Sequence, residues 1–295
     1  MNDAAAFGAA LAGLPLVLVC LAFGLVVGSF LNVVIHRLPR EESIAWPGSR
    51  CPRCERPIRP WENVPVLSWL WLRGRCAGCA SPISLRYPAV ELATGLLFAL
   101  TAWRLGATPM LPLWLCFGAV LLAAAVIDAE HRIIPDELSL GGLAAGLVAV
   151  PLVRHLGGVP LPDAFLHGAA GAVLGGGLLW SVGFVHARVS AALGRTFEHW
   201  PGDGAAHPRP ASLDYWVWFP GLGFGDVKLL AMIGAFLGPA GVIETILAAS
   251  AVGLVLGAAL ALGRGRWDVP FGFGPALAAG ALCALLVPHP TLLGL

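Results

Sequence analysis

The chain has 295 residues, 58% hydrophobic and only 12% charged, with a mean hydropathy of +0.80. A soluble domain carries about twice that share of charge, so a water-soluble enzyme is excluded and an all-α polytopic membrane protein is expected. The net charge of +1 says little by itself, and no nucleic-acid partner is expected; the distribution of charge says more.

Eight apolar stretches approach the roughly 20 residues needed to span a bilayer. They lie at 11–35, 89–105, 110–128, 138–157, 164–186, 226–239, 241–262 and 275–294. The first is too long for a cleaved signal sequence, whose apolar core is roughly 7–15 residues, so 1–35 is expected to hold a retained first helix. The sixth is short, and Gly238-Pro239 in "LGPAG" separates it from the seventh. A polar segment, 36–88, follows the first span, and residues 89–295 form the main membrane region, with a loop at 187–225 rich in Pro, Gly and aromatics. Nine of the 18 Lys and Arg residues lie between Arg37 and Arg86. With that segment in the cytoplasm, eight spans leave only Arg104 and Arg154 outside, which satisfies the positive-inside rule and puts both termini outside.

Within 36–88, "CPRC" supplies Cys51 and Cys54, and "CAGC" supplies Cys76 and Cys79. Two CxxC pairs some twenty residues apart suit tetrahedral thiolate coordination of zinc. Disulfides are disfavoured in the cytoplasm, and a four-Cys site leaves no open position, so a structural zinc is expected. Cys20, Cys116 and Cys283 fall in spans and are read as small buried apolar residues.

Four acidic residues lie in or at the ends of spans: Glu91, Asp128, Asp226 and Glu244. Charge at membrane depth is expensive and marks function. Asp128 closes the third span in "VIDAEHRIIPDELSL", and Asp226 opens the sixth in "GLGFGDVKLL"; both fall at the cytoplasmic edge and can meet across helices. A helix C-terminus disfavours an anion, which argues that Asp128 is functional, whereas Asp226 and Asp136 could each serve as N-terminal caps. Two carboxylates in one site share a proton, the arrangement with which an aspartic protease activates water and polarises a carbonyl. Gly223 and Gly225 would let backbone approach an extended peptide. Lys228 either snorkels or pairs with an Asp. Glu91 either ties helices together or reaches the site, and Glu244 is read as structural.

Taken together, these segments resemble the type IV prepilin leader peptidase family of bacterial membrane aspartic proteases. The match runs through "GSFLNVVIHRLP", the whole Cys segment to "SLRYPAVELATG", "VIDAEHRIIPDELSL", "GFGDVKLLAMIGAFLG" and "VPFGFGPALAAGAL", in order. The resemblance implies that Asp128 and Asp226 are the catalytic pair, acting at the cytoplasmic face of the inner membrane. It implies prepilin and pseudopilin substrates, cut after a Gly that ends a basic leader. It also implies N-methylation of the new terminus with S-adenosylmethionine. The 187–220 segment is longer than usual, and the ending carries an extra "FG"; neither is expected to touch the Asp pair. A proton-coupled transporter would instead place its acids near the bilayer midplane in matching halves. A member that cuts without methylating stays open.

Overall fold

The computed structural model describes residues 3–195, 210–219, 221–264 and 272–287. Nine α-helices follow one another among these: α1 Asp3–Arg37, α2 Leu67–Trp71, α3 Arg86–Leu105, α4 Leu111–His131, α5 Asp136–Leu156, α6 Leu161–Ala192, α7 Asp214–Val217, α8 Phe224–Arg264 and α9 Gly274–Leu286. The β pairing among the described residues amounts to three isolated bridges. Among the described residues, five helical stretches are long and apolar enough to cross a membrane: Gly13–Arg40, Leu111–His131, Asp136–Leu156, Leu161–Ala192 and Phe224–Gly263.

The stretches at 226–239 and 241–262, expected as two helices, are two helices that meet directly at a kink and are labelled together as α8. It kinks at Gly238, whose φ of 72° and ψ of −176° break the helical path just before Pro239. Pro removes an intrahelical hydrogen bond and Gly supplies the positive φ, so the sequence break appears as a kink rather than a loop. The 89–105 stretch forms α3, which carries Arg86, Glu91 and Arg104. Of the 275–294 stretch, residues 288–294 lie outside the described residues, as do 196–209 and Pro220 of the long loop. Cys20 is buried as expected, but Cys116 and Cys283 are exposed on their helices.

The chain divides into two units, Met1–Val126 and Ile127–Leu295, with the boundary inside α4. In the first, α1 lies along α3. Small residues set the approach: a Cβ on Gly28 would lie 2.6 Å from Glu91 Cα, and one on Gly24 2.8 Å from the Thr94 carbonyl oxygen. Helices that pack without a hydrophobic driving force use such small residues to bring backbones together.

In the second unit α8 is central, packing against α5, α6 and α9. Leu229, Leu230, Met232, Ile233, Ala235 and Val242 are fully buried, so this part of the helix is apolar all round. Gly171 of α6 meets Gly234 of α8 backbone to backbone, and Gly280 of α9 lies against Ala249 and the Thr245 carbonyl. Residues 210–219 fold back on α6: Trp180 stacks on Phe184 at 4.9 Å, Phe184 on Trp216 at 5.5 Å, and the Arg188 guanidinium lies 3.6 Å over the Tyr215 ring. The aromatic composition of the loop is thus used to tie it to a helix. The same packing fixes where α8 begins, because Phe219 and Leu222 fill the space beside Gly183 just ahead of its first turn.

Candidate functional site

Asp128 lies in the last turn of α4 and is 5% exposed. A carboxylate there is unfavourably placed against the C-terminal carbonyls of its own helix. The fold answers with a donor from another helix: Gly274, the first residue of α9, donates its N–H to Asp128 Oδ2 at 2.9 Å. An N–H at a helix start has no partner within its own helix and favours an anion. The approach depends on glycine. A Cβ on Gly272 would overlap Asp128 Oδ2 and lie 2.5 Å from Cγ; one on Gly274 would lie 2.7 Å from Oδ2.

This corrects one expectation. The "FGFGP" ending, expected to stay clear of the Asp pair, puts Gly272 and Gly274 in contact with Asp128. The signal is present in the sequence as two glycines spaced by one residue, the second of which opens a helix and is followed by Pro275. What the sequence hides is the long-range partner, 146 positions away.

Asp226 lies in the first turn of α8, is 8% exposed, and donates its own N–H to the Gly223 carbonyl at 3.1 Å. Gly223 leaves space beside the acid: a Cβ there would lie 3.5 Å from Asp226 Oδ2. Gly225 lets the turn after α4 come close, with Ile134 Cβ 3.1 Å from where a Cβ would stand. That turn is the one Asp128 leads into, and its Arg132 N–H donates to the Asp128 carbonyl at 2.8 Å. The second unit thus holds both aspartates, each buried at the end of a helix.

Asp136 opens α5, but the cap position is Pro135 and no side-chain cap bond is made. Its carboxylate instead pairs with Lys228 of α8, which also lies over the Phe224 ring at 5.5 Å. The open choice for Lys228 therefore falls to pairing. Being largely exposed on the Asp136 side, the pair adds little stability; it links the turn after α4 to the first turn of α8, flanking Asp226. Glu91, in the first unit, is 8% exposed and accepts the Val66 N–H on Oε2 at 2.7 Å.

The four cysteines of the first unit converge. Their Sγ atoms all lie within 4.8 Å of one another, with Cys51–Cys79 at 3.8 Å and Cys54–Cys76 at 4.0 Å. A tetrahedron of thiolates about 2.3 Å from zinc has edges of about 3.8 Å, whereas a disulfide needs about 2.05 Å. The two knuckles are wired alike. Glu55 N–H donates to the Cys51 carbonyl and Ala80 N–H to the Cys76 carbonyl, both at 2.9 Å. Glu55 and Ala80 both take positive φ, 55° and 57°. Backbone N–H groups of Cys54 and Arg53 pull the Cys51 thiol down to about 6, and the Ser81 hydroxyl lowers that of Cys79. Cys54 goes the other way: the Arg56 N–H favours its thiolate, but desolvation and the sulfurs of Cys79, Cys51 and Cys76 together push it up to about 11. Four crowded sulfurs ionise together only around a cation, and the donor set and its edge lengths fit zinc. Beside them, Arg56 grips Glu62, with one bond at 2.7 Å, and that guanidinium with the Arg59 N–H holds the Glu62 carboxyl below its usual range.

Comparisons with known proteins converge on the same segments. A model of the bacterial peptidase A24 N-terminal domain matches residues 22–105, and a model of the type IV leader peptidase family matches 115–258. The prepilin leader peptidase/N-methyltransferase of Stutzerimonas stutzeri is 38% identical over 298 residues, covering 92% of this chain and 91% of that protein. Its namesake from Neisseria gonorrhoeae is 35% identical, covering 86% of this chain and 84% of its own length. That of Myxococcus xanthus is 41% identical over 245 residues, covering 82% of this chain and 62% of itself. No solved structure matches the chain at a significant level.

Proposed function

The chain belongs to the type IV leader peptidase family, and on that premise we propose that it cleaves the leader from prepilins and pseudopilins with Asp128 and Asp226, then methylates the new N-terminus. The observation that carries the proteolytic part is the pair itself: two buried aspartates at helix ends, one held by the N–H of Gly274. In the pair, the ionised carboxylate takes a proton from water as the water attacks the scissile carbonyl. The protonated one donates toward the carbonyl oxygen as charge develops there, and its proton passes on to the leaving amine. No covalent intermediate is needed, because the nucleophile is water.

The substrate explains the depth of the site. A prepilin has a basic leader followed by an apolar helix, and its cut, after Gly, falls at the boundary between them. With 16 of the 18 basic residues on the cytoplasmic side, the C-terminal end of α4 and the N-terminal end of α8 lie at the cytoplasmic face of the inner membrane. Membrane lipid then flanks the helices and the peptide enters laterally. The longer 187–220 segment lies next in sequence to the Asp226 turn, where it would shape that entry.

S-adenosylmethionine supplies an electrophilic methyl: the amine nitrogen bonds to it as the carbon–sulfur bond breaks, the electron pair stays on sulfur, and the amine proton goes to water. The test uses purified chain in detergent, a prepilin peptide and methyl-labelled S-adenosylmethionine, with cleavage and methyl transfer scored separately. Both products are expected. Cleavage without label in the peptide would leave a protease alone and sink the second half of the proposal.

Zinc is proposed to occupy the four-Cys centre as a structural staple for a segment too small to fold on a core of its own. Metal analysis should find about one zinc per chain, falling to near zero in Cys51→Ser and after chelation. Both treatments should leave residues 36–88 readily cut by added protease. Full protection of the chelated protein would show that the loop stands without metal.

A further inference from the structure

The residues just ahead of Asp226 have little with which to hold themselves in place. Three of the five in "GLGFG", 221–225, are glycines, and Gly221 takes a φ of 76°. Glycine loses more conformational freedom on folding than any other residue and brings no side chain to anchor it. The opening N–H groups of a helix also lack intrahelical partners. Asp226 sits in such an opening turn, held locally by its N–H to the Gly223 carbonyl. Beyond Asp226, α8 is fixed by α6: a Cβ on Gly175 would lie 2.4 Å from the Leu230 carbonyl oxygen, and one on Gly176 3.1 Å from Ala231 Cβ. On the near side the turn needs a separate anchor.

The second unit supplies one on α6. Trp180, Phe184 and Arg188 stand four residues apart and form one stripe on that helix. Trp180 Nε1–H donates to the Trp216 carbonyl at 2.8 Å, and its ring lies parallel to that of Trp216, 6.3 Å away at 5°. Phe184 stacks on both rings. Arg188 donates to the Tyr215 carbonyl while its guanidinium lies over the Tyr215 and Phe184 rings at 3.6 and 4.9 Å. Among the described residues no carboxylate pairs with it, so its grip is on this segment. Both carbonyls belong to α7, and the last carbonyls of a helix lack intrahelical partners; α6 provides the donors. Phe219 completes the stripe. It is buried with Ala187, stands edge-on to Trp180 at 6.5 Å, and is paired by a backbone bridge with Leu222. Phe219 and Leu222 both press on α6 at Gly183, where a Cβ would lie 2.6 Å from one and 2.9 Å from the other. The grip on 215–219 is thereby carried to Leu222, beside the glycine-rich turn.

We infer that Trp180, Phe184 and Arg188 are positioning residues for cleavage: through the segment from Tyr215 to Leu222 they fix the turn ahead of α8, and with it the orientation of Asp226. The inference rests on the proteolytic reading of Asp226 above, and it gives the described end of the long loop a task in turnover.

The test measures leader cleavage by the full chain in detergent, with kcat and KM separated, and hydrogen exchange by mass spectrometry on the same variants. Arg188→Gln and Trp180→Leu should each lower kcat by about tenfold or more with KM within about twofold, because a misplaced acid costs turnover rather than substrate binding. Exchange in 221–226 should quicken in the same variants, while 227–233 keeps its wild-type protection. The double variant should lose far less than the product of the single losses, since both side chains act on one segment. Arg188→Lys separates grip from charge. It keeps the charge but not the planar fork that bonds the carbonyl and covers the ring together, so it should stay about fivefold or more below wild type. Trp180→Phe keeps the stack and drops only the N–H bond. It should show a loss of about twofold to fivefold, and it decides the matter should Trp180→Leu not fold. A variant with a faster-exchanging turn and wild-type kcat would overturn the inference. So would Arg188→Lys at the wild-type rate, or losses confined to KM. Absence of cleavage by wild type would instead overturn the proteolytic reading, and this inference with it.

Discussion

Asp128→Asn and Asp226→Asn should each lower the rate of leader cleavage by about 10³-fold, within the range attributed to positioned acid–base groups. Both should still methylate a peptide supplied already cut. The substitution preserves volume, and in Asp128→Asn the amide oxygen can still accept the Gly274 N–H, so the fold is retained. What is lost is a group able to exchange a proton at working pH. Stability should not fall, because replacing either member removes the repulsion between two buried acids. The double variant should be no worse than either single one, since the two act as a unit. A single variant cleaving at the wild-type rate would dismiss the paired-carboxylate mechanism. Asp136 would then be the next acid to examine, although its carboxylate is engaged by Lys228. Retained methyl transfer matters as much as lost cleavage, because it separates the two activities onto different residues.

The aspartates stood out in the sequence as candidates because charge at membrane depth is costly and so rarely accidental, and the structure buries both at helix ends. Asp128 stood out further as an anion at the wrong end of a helix. The cysteines were legible from spacing, because two-residue gaps fix each knuckle locally and the chain between them need only return. Residues whose role depends on a partner far along the chain were not legible. Gly274 is one, bonded to Asp128 across 146 positions. Lys228 is another: sequence allowed either snorkelling or pairing, and only the approach of α5 to α8 selects Asp136. The sixth and seventh stretches show a different limit. Gly238 and Pro239 announce a break, but whether a break becomes a loop or a kink depends on the packing on either side.

Gly272→Ala should lower the turnover number for cleavage by about 100-fold with little change in KM, the scale on which a misplacement of about 1 Å is felt. The new methyl would overlap Asp128 Oδ2, so either the carboxylate rotates away or the 272–274 turn withdraws. Both routes break the bond from the Gly274 N–H. Gly274→Ala should act in the same direction, its Cβ standing 2.7 Å from the same oxygen. Neither effect is one of backbone freedom, since neither glycine takes a positive φ. Gly177→Ala on α6 serves as the control, because its Cβ would meet no atom within 4 Å. It should leave cleavage within about twofold and add up to about 1 kcal/mol of helix stability. The decisive comparison is Gly272→Ala placed on top of Asp128→Asn. If the glycine acts only by positioning Asp128, it has nothing left to position, and the combined variant should cleave no more slowly than Asp128→Asn alone. A further loss of tenfold or more would mean that the turn contributes to cleavage independently, and the assignment of Gly272 and Gly274 as supports for Asp128 would be wrong.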